Sequence, residues 1–261
     1  MFRRLKNWFR SLFKKPNVVI GGDVTISYQE QGGQVIITRD SQKFDSDFQF
    51  VDGSHHHATR KVNNVFKEDL FDASKYPAPL FLNKCTEGTY QIDPTHTIRK
   101  KKCADAGILY GGYHFFKTNI SWQDQFDYYL DAHGDFVIPP IVDYEITEGR
   151  GSQNEDDLIR HISQLYKMLI KLEMETGKIP WIYLNYSFAK RANFPEEFGR
   201  FPAWFARYNS FLGPIPAPWT EETTFAWQFT ESGEFEGLGD KGDVNIYFAK
   251  SEVLKAKNKP H

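Results

Sequence analysis

Apolar positions fall into two regimes along the chain, a helical one at the start and a run of short strands beyond residue 48. In residues 1–16, MFRRLKNWFRSLFKKP, the large apolar side chains Phe2, Leu5, Trp8, Phe9, Leu12 and Phe13 recur at three- and four-residue steps, which predicts a helix with one apolar face. Pro16 ends it. Residues 17–47 contain two β-branched, alternating runs, Val24 to Gln29 and Gln34 to Thr38, joined by Gly-Gly, which predicts a β-hairpin followed by a polar linker. From there the predicted strands are Phe48 to Asp52, Leu80 to Cys85, Ile108 to Phe115, Phe136 to Glu145, Trp181 to Asn185, Ala203 to Tyr208, Phe225 to Thr230 and Val244 to Phe248. Between them a long amphipathic helix spans Glu155 to Thr176, with acidic residues in its first turn and Gly177 just past its end. Weaker helical patterns lie near Asn63 to Ser74, Pro94 to Ala106 and Trp122 to His133. Strands interleaved with helices over roughly 200 residues predict an α/β fold, a closed TIM-like barrel in which the last three strands leave little room for outer helices.

Charge sharpens this division. The chain of 261 residues carries 32 Lys+Arg and 34 Asp+Glu, a formal net charge of -2, which argues against a globally basic nucleic-acid binder. Yet Arg3, Arg4, Lys6, Arg10, Lys14 and Lys15 all sit in the first 16 residues, where there is no acid. A cationic amphipathic helix of that kind suits an anionic membrane or lipopolysaccharide surface, and equally a docking face on the barrel or on a partner. No run reaches the apolar length of a membrane span, and the charged start lacks the apolar core of a secretory signal. Two cysteines, Cys85 and Cys103, are too few for a disulfide framework and read as buried thiols.

In barrels of this class chemistry sits at the C-terminal ends of the strands. Four carboxylates fall at the predicted mouth: Asp52, Asp143, Glu145 and Asp243. Residues two apart on a strand point to one face, so Asp143 and Glu145 enter the mouth together, roughly 7 Å apart along the strand. Mutual repulsion then keeps at least one of the cluster protonated near neutral pH, which is what glycoside hydrolysis requires of its acid. On spacing alone an Asp-x-Glu at a strand end also reads as a solvated edge. Three consecutive histidines, His55 to His57, alternate sides and have no spaced Cys/His partners, so no metal site is expected; His55 or His56 is expected instead to bond a carboxylate near the first strand end. The glycines at 237, 239 and 242 match a dinucleotide pattern but open no helix, and no cofactor is expected.

The motifs VDGSHHHA, KCTEGTYQIDPTH, YGGYHFF, IPPIVDYE, WIYLNYSFAKRAN, PAWFARY and FAWQFTESGEFEGLGDKGDVNIYF, in this order and spacing, resemble glycoside hydrolase family 25, the muramidases that cut peptidoglycan. The resemblance covers residues 48–250, leaving 251–261 as a polar tail. It implies an eight-strand barrel with fewer than eight outer helices and hydrolysis of the β-1,4 bond from N-acetylmuramic acid to N-acetylglucosamine. Glu145 matches the family's general acid, and Asp143, Asp52 and Asp243 match its supporting acids, with Asp143 orienting either the substrate's own acetamido group or a water. Glu87, Tyr113, Tyr183, Trp204, Trp227 and Gln228 match positions that line the groove, although each aromatic taken singly is more often core than platform. The chain departs from the pattern at Cys85, where a small residue is usual, at Asp-Gly-Ser for Asp-Val-Ser, and at His57-Ala58 for Gln/Asn-Gly, and Arg60 to Pro79 lacks an Asp-Trp.

These readings make peptidoglycan the expected partner of a lytic enzyme made in the cytoplasm and delivered to the cell wall, as a phage lysin or virion-associated hydrolase is. The competing reading is a non-catalytic glycan-binding or structural barrel of a phage particle.

Overall fold

A computed structural model describes residues 17–20, 24–31, 34–39, 49–63, 65–145 and 155–248. The predicted N-terminal helix, with Phe2, Leu5, Trp8, Phe9, Leu12 and Phe13, and the polar tail lie outside the described residues. The expected hairpin is present as β2 (Val24–Gln31) and β3 (Gln34–Arg39), and a further strand, β1 (Asn17–Ile20), pairs antiparallel with β2 to complete a three-stranded sheet.

Eight strands close the barrel: β4 (Gln49–Gly53), β7 (Leu80–Glu87), β9 (Leu109–Phe115), β10 (Ile141–Tyr144), β11 (Trp181–Asn185), β12 (Ala203–Ala206), β13 (Thr224–Glu234) and β14 (Lys241–Tyr247), with β4 pairing both β14 and β7. Neighbours run parallel except at β14, which is antiparallel to β13 and to β4. That reversal matters for the site. The start of β14 lies at the same barrel end as the finish of β4, and Asp243 and Asp52 are direct register partners. A short β8 (Gln91–Ile92) hangs on the end of β7.

The strands read as apolar runs because they are buried on both faces, as in Leu80–Glu87, where only the last residue is partly exposed. Inside, Trp204 packs edge-on against Tyr183 with ring centroids 4.6 Å apart and 5.9 Å from Phe50. Outside, α1 (His96–Asp105), α2 (Trp122–His133) and α3 (Glu155–Thr176) cover the β7 to β11 side, and a six-residue helix, α4 (Tyr186–Arg191), follows β11. The long helix has the predicted bounds. Its buried stripe is Ile162, Leu165, Met168, Leu169 and Leu172, its first turn carries three acids that complement the helix dipole, and Gly177 takes a φ of +66° just beyond its end. Both cysteines are buried and unbridged.

One predicted element is wrong. The helix expected near Asn63 to Ser74 is instead an antiparallel hairpin, β5 (Thr59–Val62) and β6 (Val65–Asp69). Its half-buried and exposed positions alternate, as a strand on a barrel flank requires, and Asn63 turns the chain at a φ of +51°.

Candidate active site

The backbone brings all four acids to one mouth. Asp52 sits one residue from the end of β4, Asp143 near the end of β10 with Glu145 directly after it, and Asp243 near the start of β14. Each is mostly buried, so each resists ionising. Burial raises Asp52 to about 7, with bonds from Asn245 and Gln228 and the charge of Glu145 acting on it as smaller influences. Burial, then the charges of Asp52, Glu231 and Glu145, raise Asp243 to about 9. Asp143 is pushed well up by burial and by Glu145, and its Oδ1 is buried with no partner. Glu145 is also raised by burial, with the charge of Lys84 and a hydrogen bond with Tyr183 pulling part of the way back.

A polar network fixes this arrangement from below. Gln228 Nε2 and Asn245 Nδ2 both donate to Asp52 Oδ1, at 2.8 and 2.9 Å, and Trp204 Nε1 donates to Asn245 Oδ1 at 2.7 Å. The hydroxyls of Tyr183 and Tyr208 donate to Gln228 Oε1 at 2.9 and 3.0 Å, and that of Tyr113 donates to the Gly53 carbonyl at 3.2 Å. Gln228 therefore orients one acid through its amide N–H while its carbonyl side is saturated.

The predicted groove residues divide by burial. Trp204 and Trp227 are each 1% exposed, and Trp227 Nε1 donates to the Arg207 carbonyl, so neither offers a free face to a sugar ring; they are wall and floor, not stacking platforms. Tyr113, Tyr183 and Gln228 are likewise buried and act through the network. Glu87 stands at the end of β7 with Lys84 Nζ 2.9 Å from Oε2, Lys117 Nζ 3.7 Å from Oε1 and the Tyr90 hydroxyl donating at 2.8 Å. Although burial opposes it, these contacts hold Glu87 below its usual range.

Two residues of the mouth went unnoticed in the sequence. Tyr208 is 53% exposed while its hydroxyl reaches Gln228, which makes it an open aromatic face beside the acids. Lys84 is buried, with its ammonium 4.5 Å from the centre of the Phe115 ring, and its charge acts on Asp143, Glu145 and Glu87. A lysine within an apolar strand is the available signal for such a cation.

The histidines hold loops. His55 Nδ1 lies 2.7 Å from Asp93 Oδ2, the carboxylate bond expected of one member of the run. His114 points away from Tyr113 and sits between Thr86 and Gln125. Among the described residues no group of His, Cys, Asp and Glu is arranged to hold a metal ion.

The raised acids have a consequence for stability. They keep protons that the unfolded chain gives up near pH 4, so the stability they supply is complete below that pH and is lost as pH rises through their folded values. The buried histidines His96 and His114, lowered by burial to about 4, and His133, lowered to about 3, titrate only below the unfolded value of 6.5 and contribute a constant amount above it. Between pH 7 and 9 the raised carboxylates dominate the change, the buried Cys85 thiol, raised to about 12, adds to it in the same direction towards pH 9, and stability falls by about 2–3 kcal/mol. Urea midpoints at the two pH values measure this, and Asp243→Asn should flatten the difference; a midpoint that rises towards pH 9 contradicts the assignment of raised acids.

Comparison with known proteins completes the picture. The sequence profile described as Glycosyl hydrolases family 25 matches residues 51–238. An uncharacterized protein, YegX of Escherichia coli strain K12, is 29% identical over 178 residues, covering 66% of this chain, and the match spans 60% of that relative's length. Among solved structures, a bacterial lysozyme from Streptomyces coelicolor superposes with a TM-score of 0.67 at 19% identity, covering 82% of this chain and 99% of its own. A family GH25 lysozyme from Aspergillus fumigatus gives 0.64 at 23% identity, covering 82% and 99%.

Proposed function

The chain belongs to glycosyl hydrolases family 25, and from that premise we propose that it hydrolyses peptidoglycan at the β-1,4 bond from N-acetylmuramic acid to N-acetylglucosamine. The observation that carries the reading is the gathering of Asp52, Asp143, Glu145 and Asp243, all held above their ordinary titration range, at one end of a closed barrel.

In this reading Glu145 is the general acid. Burial lets it hold its proton to higher pH than an ordinary glutamate, and the proton passes to the glycosidic oxygen as the bond to the anomeric carbon breaks. Asp143 faces the developing positive charge with one oxygen still lacking a donor. Through its other carboxyl oxygen, Asp143 is the candidate to accept an N–H from the acetamido group of the sugar, or an O–H from an attacking water. Asp52, fixed by two amide donors, and Asp243, its register partner, complete the acidic wall. Lys84 tempers the cluster by placing one positive charge near Asp143 and Glu145. The exposed ring of Tyr208 is the sugar-facing platform.

Digestion of purified peptidoglycan followed by mass spectrometry tests the proposal. Products ending in reducing N-acetylmuramic acid are expected. Reducing N-acetylglucosamine ends would reassign the bond, and binding of wall without any new reducing ends would favour a non-catalytic barrel.

A further inference from the structure

Beside the acids of the mouth, an imidazole also approaches Asp243. His57 Nε2 lies 3.8 Å from Asp243 Oδ1, and the two side chains are 25% and 15% exposed. The loop that carries His57 is held firmly: its N–H donates to the Ser54 carbonyl at 3.0 Å, and Arg99 Nη2 donates to the His57 carbonyl at 2.6 Å. The next residue, Ala58, takes a φ of +53°, an unusual conformation for a residue with a Cβ, and its carbonyl accepts from Leu70.

The ring's two nitrogens face different surroundings. Nδ1 is buried with no hydrogen-bond partner, whereas Nε2 faces a carboxyl oxygen. A buried N–H without an acceptor is costlier than a buried lone pair without a donor, because the N–H loses a stronger bond to water. The proton of the neutral ring therefore belongs on Nε2, directed at Asp243. Charges around the ring keep it neutral. Burial lowers His57 to about 4, Arg99 of α1, His56 of the same loop and Lys61 of β5 act in the same direction, and Asp240 of the β13–β14 turn opposes them. Asp243 in turn faces Asp52, Glu231 and Glu145.

We propose that His57 is a positioning residue for Asp243, a neutral imidazole whose Nε2–H orients that carboxylate and favours its ionised form during the reaction at the mouth. The inference rests on the reading of the mouth as a glycosidase site. A movement of roughly 0.6 Å brings the pair to hydrogen-bond distance, and a bound sugar that excludes water from the partly exposed pair favours that step. An amide side chain in place of His57 would also present an N–H.

The test combines carbon-13 titration of the Asp243 carboxyl with the pH profile of wall cleavage in the full chain. In His57→Phe the Asp243 midpoint should rise by about one pH unit, a tenfold change in proton affinity, and kcat should fall by about tenfold with little change in KM. His57→Gln should restore both. In the unaltered protein, nitrogen-15 shifts of His57 at pH 7 should report the Nε2–H tautomer, a measurement that does not depend on any variant folding. An Nδ1–H tautomer, or an Asp243 midpoint and pH profile unchanged in a folded His57→Phe, overturns the proposal. If the protein cleaves no peptidoglycan at all, the functional reading fails while the carboxyl titration and the tautomer still decide this one.

Discussion

Glu145→Gln is expected to reduce the release of reducing ends from purified cell walls by about 10²- to 10⁴-fold while leaving the barrel folded and able to bind wall. Glutamine keeps the shape of the side chain and its capacity to bond Tyr183, so the change removes little besides the transferable proton. A carboxyl held up by burial keeps its proton to higher pH than a free glutamate and can give it to the leaving oxygen; an amide cannot. Because the acid must be protonated to act, activity in the unaltered protein should also fall as pH rises through the raised Glu145 value, and the variant should lack that limb. Circular dichroism and a wall pull-down serve as controls. Near-normal turnover in the folded variant would move the acid role to another member of the cluster, with Asp143 the first alternative because it lies on the same strand end.

That cluster was readable because strand periodicity is rigid. Asp143 and Glu145 had to share a face once β10 was recognised, and Asp52 and Asp243 had to meet once β4 and β14 closed the barrel. The long helix was equally plain, since acids at its start, an unbroken apolar stripe and a glycine past its end all agree. Burial was harder to read. Trp204 and Trp227 look the same in sequence whether they floor a groove or face it, and only the closed barrel shows that they are covered. Tyr208 carried the opposite ambiguity and turned out to be the open ring. The missed β5–β6 hairpin has a different cause. Its residues include lysines and asparagines that suit either element, and its end is tied by a contact no local pattern reveals, from a side chain about 30 residues away on α1.

That side chain, Arg99, makes the second large prediction: Arg99→Met should cost about 3–5 kcal/mol of stability, read as a lower urea midpoint. The guanidinium is fully buried and satisfies itself on several elements at once. Nε donates to Asp69 Oδ1 at 2.9 Å at the end of β6, Nη1 donates to Asn83 Oδ1 of β7 at 2.8 Å and to the Ser54 carbonyl, and Nη2 donates to the carbonyls of His57 and Ala58. Lysine could not substitute, because one ammonium cannot span a fork of this width. Methionine fills much of the volume but strands Asp69, which is only 2% exposed and keeps just Lys102 as a cationic partner. Removing one member of a buried pair is costly because the other remains desolvated and unpaired, whereas removing both is cheaper. Arg99→Met with Asp69→Leu should therefore recover part of the loss. It should not recover activity to the same degree, since the freed carbonyls of Ser54, His57 and Ala58 belong to the loop that follows Asp52 and carries His57 towards Asp243. A single-variant loss below about 1 kcal/mol would mean that the loop holds its shape without the arginine, and full activity in the double variant would separate the anchoring of the hairpin from the geometry of the mouth.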